Sequence, residues 1–521
     1  MKTGELFFKA ACLVTTVAML TGCTADIVQD GERNKETNAT TANVTFTSEN
    51  PPTRTNLTHS IGKGATAFWS EKDKIWAKDV NNQWKQSGKG TFSDDKSNGV
   101  FSFSSGTFAN NCEVHYTGVN GTRGDRVTIA AKQMQSKAND FHHAGVSGDC
   151  ATGIAKGNGE KFKFRLSHKS SYLCFLPFSP NEKLVKNGKL IKIEVISKNN
   201  IAGTYDFSNG TLSNTPISDG SKTITLTTGD GFTLEQSTKI DKNGSYIVIA
   251  PGNHTLTVRY WLHYKTYTED ITGTVTKTFT LNCEAGKIYD IKAKLEPTDY
   301  TPKKYYMWDC TSGYDYWKGY EKYQPKTKYA PAGSFYPTSV NDPRWYNKQA
   351  FPDPAKNSCS GCPNVNETWW FIQYGDPHWD SEELWMMYGY LYTGGMWFKR
   401  KDYIVNPTFS STSAPDGKNY ATQAISAYYE NKTATIGRPN DIQKYFYLPA
   451  LGYYNQGKFY NIGEDGNYWT STPTPWNNSP GTPTKGAYYL FFYPNTDGRT
   501  STAALYGGEN RQKGFTWWKK E

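Results

Sequence analysis

Cysteine and histidine side chains are the residues of this sequence best suited to redox or metal chemistry. Cys359 and Cys362 have the C-x-x-C spacing found in redox pairs and in zinc sites. A redox pair normally follows an apolar strand, whereas this pair follows a loop rich in proline and aspartate. No second pair completes a set of zinc ligands. The pattern therefore favours a structural disulfide from Cys310 to Cys359 or Cys362, with free thiols as the alternative.

The eight histidines include two local groups with some metal-ligand character. His142 and His143 are adjacent, and neighbouring side chains of an extended segment point to opposite sides. His378 lies between Asp376 and Asp380, in a turn-forming sequence that needs no ligand to explain it. The chain also has no G-x-S-x-G, H-E-x-x-H or phosphate-binding glycine motif. We therefore predict no metal, no cofactor and no enzymatic activity.

Residues 1–22 predict a secretory signal peptide. Lys2 and Lys9 flank the start of an apolar run that has about half the residues needed to span a bilayer. The run ends in the letters L-T-G-C, which resemble a bacterial lipobox. The resemblance implies cleavage before Cys23, acylation of its thiol and a lipid anchor in the outer membrane. An ordinary signal peptide followed by an incidental cysteine is the alternative.

The composition indicates a chain built mainly of strands. Aromatic residues make up 15% of the sequence, and such side chains suit pleated, half-buried surfaces. The 47 glycines and 25 prolines indicate many turns. The formal charge of +10 is spread over scattered lysines without a dense basic run. We therefore predict a solvated surface and no nucleic-acid partner.

Hydrophobic periodicity divides the chain into segments. Residues 23–42 are polar and predict a flexible stalk. Between 43 and 297, apolar and polar residues alternate repeatedly, for example at 162–166 and at 256–264, where a hairpin is expected. This pattern is typical of antiparallel sheets with one face in a core. It predicts two packed β-sandwich domains, at 43–155 and 156–297.

The remaining segment, 298–521, is richer still in tryptophan and tyrosine. One helix is predicted there, at Asp380–Tyr392. Asp380 and Glu383 have the spacing of a capping box. The apolar residues that follow recur at the spacing of one helix face.

Three motifs between residues 53 and 291 resemble fimbrillin-like lipoproteins of Bacteroides-type bacteria. They are Thr53-Arg54-Thr55 followed by the segment 67–75, then 164–168, and finally 285–291. The order matches the family, although in the turn at 72–75 only the aspartate and the isoleucine agree. Over residues 40–297 the resemblance implies two transthyretin-like β-sandwiches and a role as a subunit of type V pili.

Three later motifs, at 447–453, 466–472 and 487–492, resemble the Fibrobacter major paralogous domain. This resemblance implies an α+β, C-type-lectin-like domain at 298–521. The family's closing cysteine strand is absent, because the sequence here ends its motif as G-F-T-W-W. The carboxylates of a lectin calcium site are missing too. Trp469 and Trp476 are candidates for stacking on a ligand, and packing in a core is the alternative.

The first resemblance also implies a mechanism. Pilus subunits of this type arrive as lipoproteins, lose an N-terminal strand to an arginine-directed protease, and accept a strand from the next subunit. Arg54 is the first candidate cleavage site and Arg33 the second; an ordinary surface role for Arg54 is the alternative. The C-terminal extension favours a pilus tip adhesin whose partners are other pilus subunits and a glycan or host surface protein. A surface lipoprotein that binds such a ligand without polymerising is the second hypothesis.

Overall fold

Strands account for most of the regular structure, so the prediction of a mostly β chain is confirmed. The computed structural model describes residues 44–49, 56–267, 269–475 and 486–519, which contain 36 strands and four α-helices. Cys23, Arg33, Arg54 and Trp476 lie outside these ranges, as do the predicted signal peptide and stalk. Within the described ranges, no helix is long and apolar enough to cross a membrane.

The first third of the chain forms mainly one nine-stranded sheet. The order is β5-β4-β8-β11-β12-β1-β7-β6, with β13 paired to β11. The inner face of this sheet buries a core dominated by phenylalanine. The strands of this part of the chain are β1 (Val44–Ser48), β2 (Asn56–His59), β3 (Ala65–Phe68), β4 (Trp76–Lys78), β5 (Trp84–Gln86), β6 (Thr91–Phe92), β7 (Gly99–Phe103), β8 (Asn111–Tyr116), β9 (Arg126–Ile129), β10 (Lys132–Met134), β11 (Ala151–Gly157), β12 (Lys161–Phe164) and β13 (Ser167–His168).

The second part of the chain has two sheets that face each other across one core. A five-stranded sheet has the order β10-β18-β15-β20-β21, and a three-stranded sheet has the order β19-β14-β22. The expected hairpin is confirmed, since β20 and β21 pair over their full length. The strands here are β14 (Ser171–Phe178), β15 (Gly188–Ser197), β16 (Ala202–Asp206), β17 (Ser218–Ser221), β18 (Thr223–Thr233), β19 (Ser245–Ile249), β20 (Gly252–Lys265), β21 (Asp270–Cys283) and β22 (Ile288–Lys294).

The two parts exchange strands across the predicted boundary at residue 155. β12 and β13 follow that boundary but complete the first sheet. β10 precedes it but forms an edge of the five-stranded sheet, while β9 pairs with β16, whose other neighbour is β17. We use the name first sandwich for the nine-stranded sheet with its phenylalanine-rich core, and second sandwich for the five-stranded and three-stranded sheets with the core between them. No single position in the sequence separates the two.

The C-terminal region, from residue 298 onward, is built on a mixed nine-stranded sheet. Its order is β24-β36-β33-β34-β35-β29-β25-β28-β30. The strands are β23 (Thr298–Asp299), β24 (Tyr305–Tyr306), β25 (His378–Trp379), β26 (Trp385–Met387), β27 (Tyr390–Tyr392), β28 (Gly395–Lys399), β29 (Tyr429–Ile436), β30 (Tyr445–Pro449), β31 (Tyr453–Asn455), β32 (Lys458–Tyr460), β33 (Gly466–Pro473), β34 (Gly486–Pro494), β35 (Thr500–Asn510) and β36 (Phe515–Trp517).

The helices of the described residues are short. They are α1 (Ala144–Ser147), α2 (Glu182–Asn187), α3 (Ile240–Asn243) and α4 (Val365–Tyr374), with 3-10 turns at Glu321–Tyr323, Lys401–Tyr403 and Ile442–Lys444. Only α4 reaches ten residues. It starts with a capping box in which Asn364 and Glu367 each accept from the other's backbone N–H. Its aromatic face packs into the core of the C-terminal region.

The helix predicted at Asp380–Tyr392 is wrong, because this segment forms the hairpin β26–β27. Tyr388 and Gly389 make its two-residue turn, with φ angles of 52° and 76°. Two successive positive φ angles are typical of the turn type that suits a tight hairpin. Asp380 does cap backbone N–H groups, but those of Glu382 and Glu383 in a turn before the hairpin. A capping residue therefore served a turn instead of a helix.

Candidate functional site

Strand β1 is an interior strand of the first sheet. It pairs in parallel with β12 and antiparallel with β7, so that Phe46 has Phe162 and Phe101 as its register partners. The backbone N–H of Thr45 donates to Glu160, and that of Glu49 donates to Phe164, at 2.8 and 2.9 Å. Both edges of β1 are thus used, and the strand is an integral member of the sheet.

The side chain of Phe46 fills the centre of the aromatic core. It is 0% exposed. Its ring stacks on Phe162 with centroids 4.6 Å apart, and it meets Phe103 and Phe108 edge-on at 4.8 and 5.1 Å. Burial of a phenylalanine of this kind contributes about 1.5–3 kcal/mol, and each aromatic pair adds about 0.5–1.5 kcal/mol. Loss of β1 would leave an aromatic-lined slot.

Ser48 fixes the end of β1 by accepting two hydrogen bonds. The indole N–H of Trp69 donates to its Oγ at 3.1 Å, and the backbone N–H of Gly99 donates at 2.8 Å. All three groups are buried. Removing Ser48 would therefore leave two buried donors without this acceptor, which costs about 1–3 kcal/mol for each donor.

β1 and β2 belong to different parts of the molecule although only seven residues separate them in the sequence. Leu57 of β2 is buried in the core of the second sandwich and forms a bridge to Phe141. The connecting residues 50–55, which include the candidate cleavage site Arg54, lie outside the described ranges. A break in this connection would release β1 while the hairpin β2–β3 kept its contacts with the second sandwich.

The C-terminal region is bound to the second sandwich through the edge strand β21. The backbone N–H of Thr274 donates to Glu382 at 2.6 Å, and its carbonyl oxygen accepts from Leu384 at 3.0 Å. Leu384 is buried in the core of the second sandwich. An open sheet edge is a template for pairing with another chain, and here this part of it is covered.

Two arginines strengthen this interface. Arg259 of β20 donates to Glu382 at 2.6 Å and to Glu194 at 3.2 Å. Arg438 donates to Glu383 at 2.6 Å and to Thr276 of β21 at 3.0 Å. Burial raises the pKa of the Glu383 carboxyl group. Because both arginines are largely buried, these ion pairs are screened less than surface pairs.

The last described strand, β36, is also held on both sides. It pairs antiparallel with β24 and in parallel with β33. The neighbouring Trp518 is buried and packs against Phe371 of α4. β36 is therefore part of the C-terminal sheet and is not a free segment that another subunit could take up.

The candidate stacking residue Trp469 is placed in the core. It is 0% exposed, and its indole N–H donates to the carbonyl oxygen of Tyr306 at 2.8 Å. Its ring lies against Phe515 at 4.4 Å. No face of Trp469 is open to a ligand, so its prediction as a ligand-binding residue is wrong and its alternative, packing in a core, is confirmed. Trp476 lies outside the described residues.

An exposed aromatic cluster was missed in the sequence. Phe335 is 54% exposed, stacks on Tyr320 at 5.5 Å and lies 4.6 Å from Tyr323. The guanidinium of Arg344 lies over the ring of Tyr320, 4.5 Å from its centroid. Phe335 has a φ angle of 69°, which is unusual for a bulky residue and is often found at functional sites. Nothing in the local sequence indicates this backbone conformation.

The seven cysteines of the described residues are all buried and free. The thiol of Cys310 donates to the carbonyl oxygen of Tyr314 at 3.1 Å, and Cys359 accepts from the backbone N–H of Asp309 at 3.2 Å. The predicted disulfide from Cys310 to Cys359 or Cys362 is therefore not formed in this structure. The thiols of Cys310 and Cys359 contact separate backbone groups instead. Burial raises the pKa of Cys310 to about 12.

The two local histidine groups do not converge on a common centre. His142 is exposed and contacts Asp140, whereas His143 contacts the carbonyl oxygen of Tyr246 at 3.1 Å. His378 lies 3.4 Å from Asp376, but Asp380 is engaged by backbone N–H groups instead. A different group, formed by residues far apart in the sequence, does converge: His59, Cys174 and Asp290.

Comparison with known proteins gives weak structural likenesses only. No protein-family model and no curated protein sequence matches the chain. A candidate cell adhesion protein from Bacteroides ovatus is 14% identical with a TM-score of 0.31, over 49% of this chain and 92% of that one. The fimbrial anchor protein Mfa2 from Porphyromonas gingivalis is 9% identical with a TM-score of 0.22, over 48% and 89%. A fimbrial protein from Bacteroides ovatus is 12% identical with a TM-score of 0.20, over 51% and 52%. Likenesses at this level assign neither a fold nor a family.

Proposed function

We propose that this chain is a cell-surface fimbrial subunit that accepts a strand from another subunit and acts as a pilus tip adhesin. The observation that carries the proposal is the placement of β1. It is an interior strand of the first sheet, yet the next strand in the sequence, β2, belongs to a different sandwich. One cut after Arg54 would separate β1 and everything before it from the rest of the protein.

Removal of β1 would create a specific acceptor groove. β7 and β12 would each lose the backbone partners that β1 provides. Unpaired backbone groups and an empty aromatic slot both favour the entry of a new strand. A donor strand that places a large apolar side chain where Phe46 now lies would restore the hydrogen bonds and the packing together.

A position at the tip fits the state of the C-terminal region. β36 is held between two neighbours, and segment 382–384 covers part of the edge of β21. Neither β36 nor segment 382–384 is therefore free to serve as a donor strand for another subunit. We propose that this region has the C-type-lectin-like fold and presents the cluster of Tyr320, Tyr323 and Phe335 to a glycan, because exposed aromatic rings stack on the apolar faces of sugars.

In this proposal the precursor is a lipoprotein anchored in the outer membrane through acylated Cys23, and the mature protein resides in the surface fimbrium without enzymatic activity. The second candidate is a surface lipoprotein that binds a glycan or host protein and never polymerises. The firm attachment of β1, through Phe46 and Ser48, favours this alternative if no protease reaches the connection. The two candidates differ in the mature N-terminus.

Mass spectrometry of the mature N-terminus tests the proposal. The full chain is expressed in its own type of host, and the surface protein is compared with Arg54→Ala and with Arg33→Ala as the matched control. We expect the wild type and Arg33→Ala to begin at Thr55 and to form high-molecular-mass assemblies. Arg54→Ala should keep the lipid on Cys23 and stay unassembled. A wild-type protein that keeps acylated Cys23 and remains monomeric would establish the second candidate.

A further inference from the structure

Three side chains from distant parts of the chain meet beside the second sandwich. His59 comes from β2, Cys174 from β14 and Asp290 from β22. Cys174 and Asp290 are register partners on neighbouring parallel strands, and the hairpin β2–β3 brings His59 over them. Their ligand atoms all lie within 4.8 Å of one another. The thiol and the imidazole are buried, while the carboxylate is partly exposed.

Each ring nitrogen of His59 lies against an acceptor oxygen. Its Nδ1 lies 2.9 Å from the carbonyl oxygen of Gly64, and its Nε2 lies 2.6 Å from Oδ1 of Asp290. Both oxygens are acceptors, but a neutral imidazole carries a single N–H. With that hydrogen on Nδ1, the lone pair of Nε2 points towards the carboxylate. A metal cation between them would satisfy both groups, whereas without a metal a ring with N–H groups on both nitrogens would form an ion pair with Asp290.

We propose that His59, Cys174 and Asp290 bind a zinc ion. Nitrogen, thiolate sulfur and carboxylate oxygen are the three donor types that zinc accepts in proteins. Binding would remove the thiol proton of Cys174 and would replace the contact of Nε2 with Oδ1 by two bonds to the metal. The site is independent of the proposed pilus function and is present in the full chain.

The geometry needs only small shifts. Zinc bonds of about 2.0–2.3 Å in a tetrahedron place the ligand atoms roughly 3.5 Å apart. The contact between Nε2 of His59 and Oδ1 of Asp290, now 2.6 Å, would have to open by about 1 Å. The sulfur of Cys174 is already within reach. Water can take the fourth position, because the Asp290 side of the site is partly open to solvent.

Neighbouring backbone groups hold the ligands in place. The carbonyl oxygen of Gly64 fixes the tautomer of His59, as is usual for metal-binding histidines. The backbone N–H of Gly62 donates to Oδ2 of Asp290 at 2.7 Å and leaves Oδ1 for the metal. A zinc ion would therefore fasten the turn of the hairpin β2–β3 to the closing strand of the second sandwich.

Cobalt and zinc titrations of the metal-depleted full chain test this site. We expect one Co²⁺ per chain, with a thiolate-to-cobalt charge-transfer band in the near ultraviolet that one equivalent of Zn²⁺ abolishes. Cys174→Ser should lose the band. Asp290→Asn should weaken zinc binding at least about tenfold in competition with a chromogenic chelator. Cys283→Ser, which alters another buried thiol of the same core, is the matched control and should bind normally.

Asp290→Asn also protects the test against a folding defect. Its amide oxygen can still accept from Gly62, and its amide N–H can donate to Nε2 of a neutral His59. A folded Asp290→Asn protein with wild-type zinc affinity would overturn the proposal. So would a wild-type chain that binds no Co²⁺, or a charge-transfer band that persists in Cys174→Ser. In each of these three cases His59 and Asp290 would form only an ion pair.

Discussion

Replacing Phe46 with alanine in the uncleaved chain tests whether β1 is an integral strand of the first sheet. The side chain is fully buried and contacts the rings of Phe103, Phe108 and Phe162. Truncation removes all three ring contacts and leaves a cavity that the strands on both sides cannot close. Phenylalanine-to-alanine changes in such cores cost about 3–5 kcal/mol of unfolding free energy. We expect a value in that range for the first sandwich.

Hydrogen exchange measured by mass spectrometry gives this quantity locally, which matters in a chain with several cores. Peptides from β7 and β12 report on the strands that flank β1. A loss of about 3 kcal/mol corresponds to a more than 100-fold rise in the local opening constant. Peptides from the C-terminal region should exchange as in the wild type.

Thr47→Ala is the matched control, because Thr47 lies on the same strand with its side chain on the other, partly exposed face. It should change the exchange of β7 and β12 by about 0.5 kcal/mol or less. If Phe46→Ala behaves like Thr47→Ala, β1 is not held by its aromatic contacts. The acceptor groove proposed for the trimmed protein would then lose its physical basis.

Three further outcomes are expected. Arg438→Met leaves the buried carboxylate of Glu383 without its cation, so docking of the C-terminal region should weaken by about 1–3 kcal/mol and limited proteolysis should accelerate; exposed Lys444→Met should change neither. Burial raises the pKa of Asp465 to about 6, above its value in the unfolded chain, so the folded state keeps this proton to higher pH. The free energy of unfolding should therefore fall by about 2–3 kcal/mol as the pH rises from 4 to 6. Denaturant melts of Asp465→Asn should lack that pH dependence. Phe335→Gly relieves the positive φ angle and removes the ring, so thermal stability should hold while binding on a glycan array falls; unchanged binding would exclude the aromatic cluster as the ligand face.

Period-two alternation was the part of the fold that sequence could predict. The run at 256–264 appears as β20, with its apolar side chains buried and its partner β21 in the expected place. The alternation at 162–166 is also real, but it could not reveal that β12 completes the first sheet. Which sheet a strand joins depends on contacts between segments that are distant in sequence, and local periodicity carries no such information.

The prediction of a helix at Asp380–Tyr392 was wrong for a local reason. Buried residues of a short hairpin happened to fall at helical spacing, and the tight turn at Tyr388 and Gly389 lacks the usual asparagine signal. The real helix carried its signal at Asn364 and Glu367, the same capping-box spacing placed elsewhere. Two identical signals were thus available, and only tertiary packing distinguished them.

The candidate site residues also differ in whether the local sequence could identify them. Arg54 could be selected from its place before a patterned segment, and it stays a prediction. His59, Cys174 and Asp290 share no spacing that a motif could capture, since 231 positions separate the first from the last. Trp469 was chosen for its residue type, yet residue type does not distinguish a buried ring from an exposed one.

The opposite orientations of β7 and β12 have a consequence for assembly. Because β1 runs with one neighbour and against the other, a replacement strand inserted either way round would still meet one aligned and one opposed neighbour. Backbone pairing with β7 and β12 therefore does not by itself exclude either direction of the inserted strand. The direction of the inserted strand must then be set by its side chains. The buried position now filled by the ring of Phe46 accepts a large apolar residue, and reversing the strand would carry that residue away from this position.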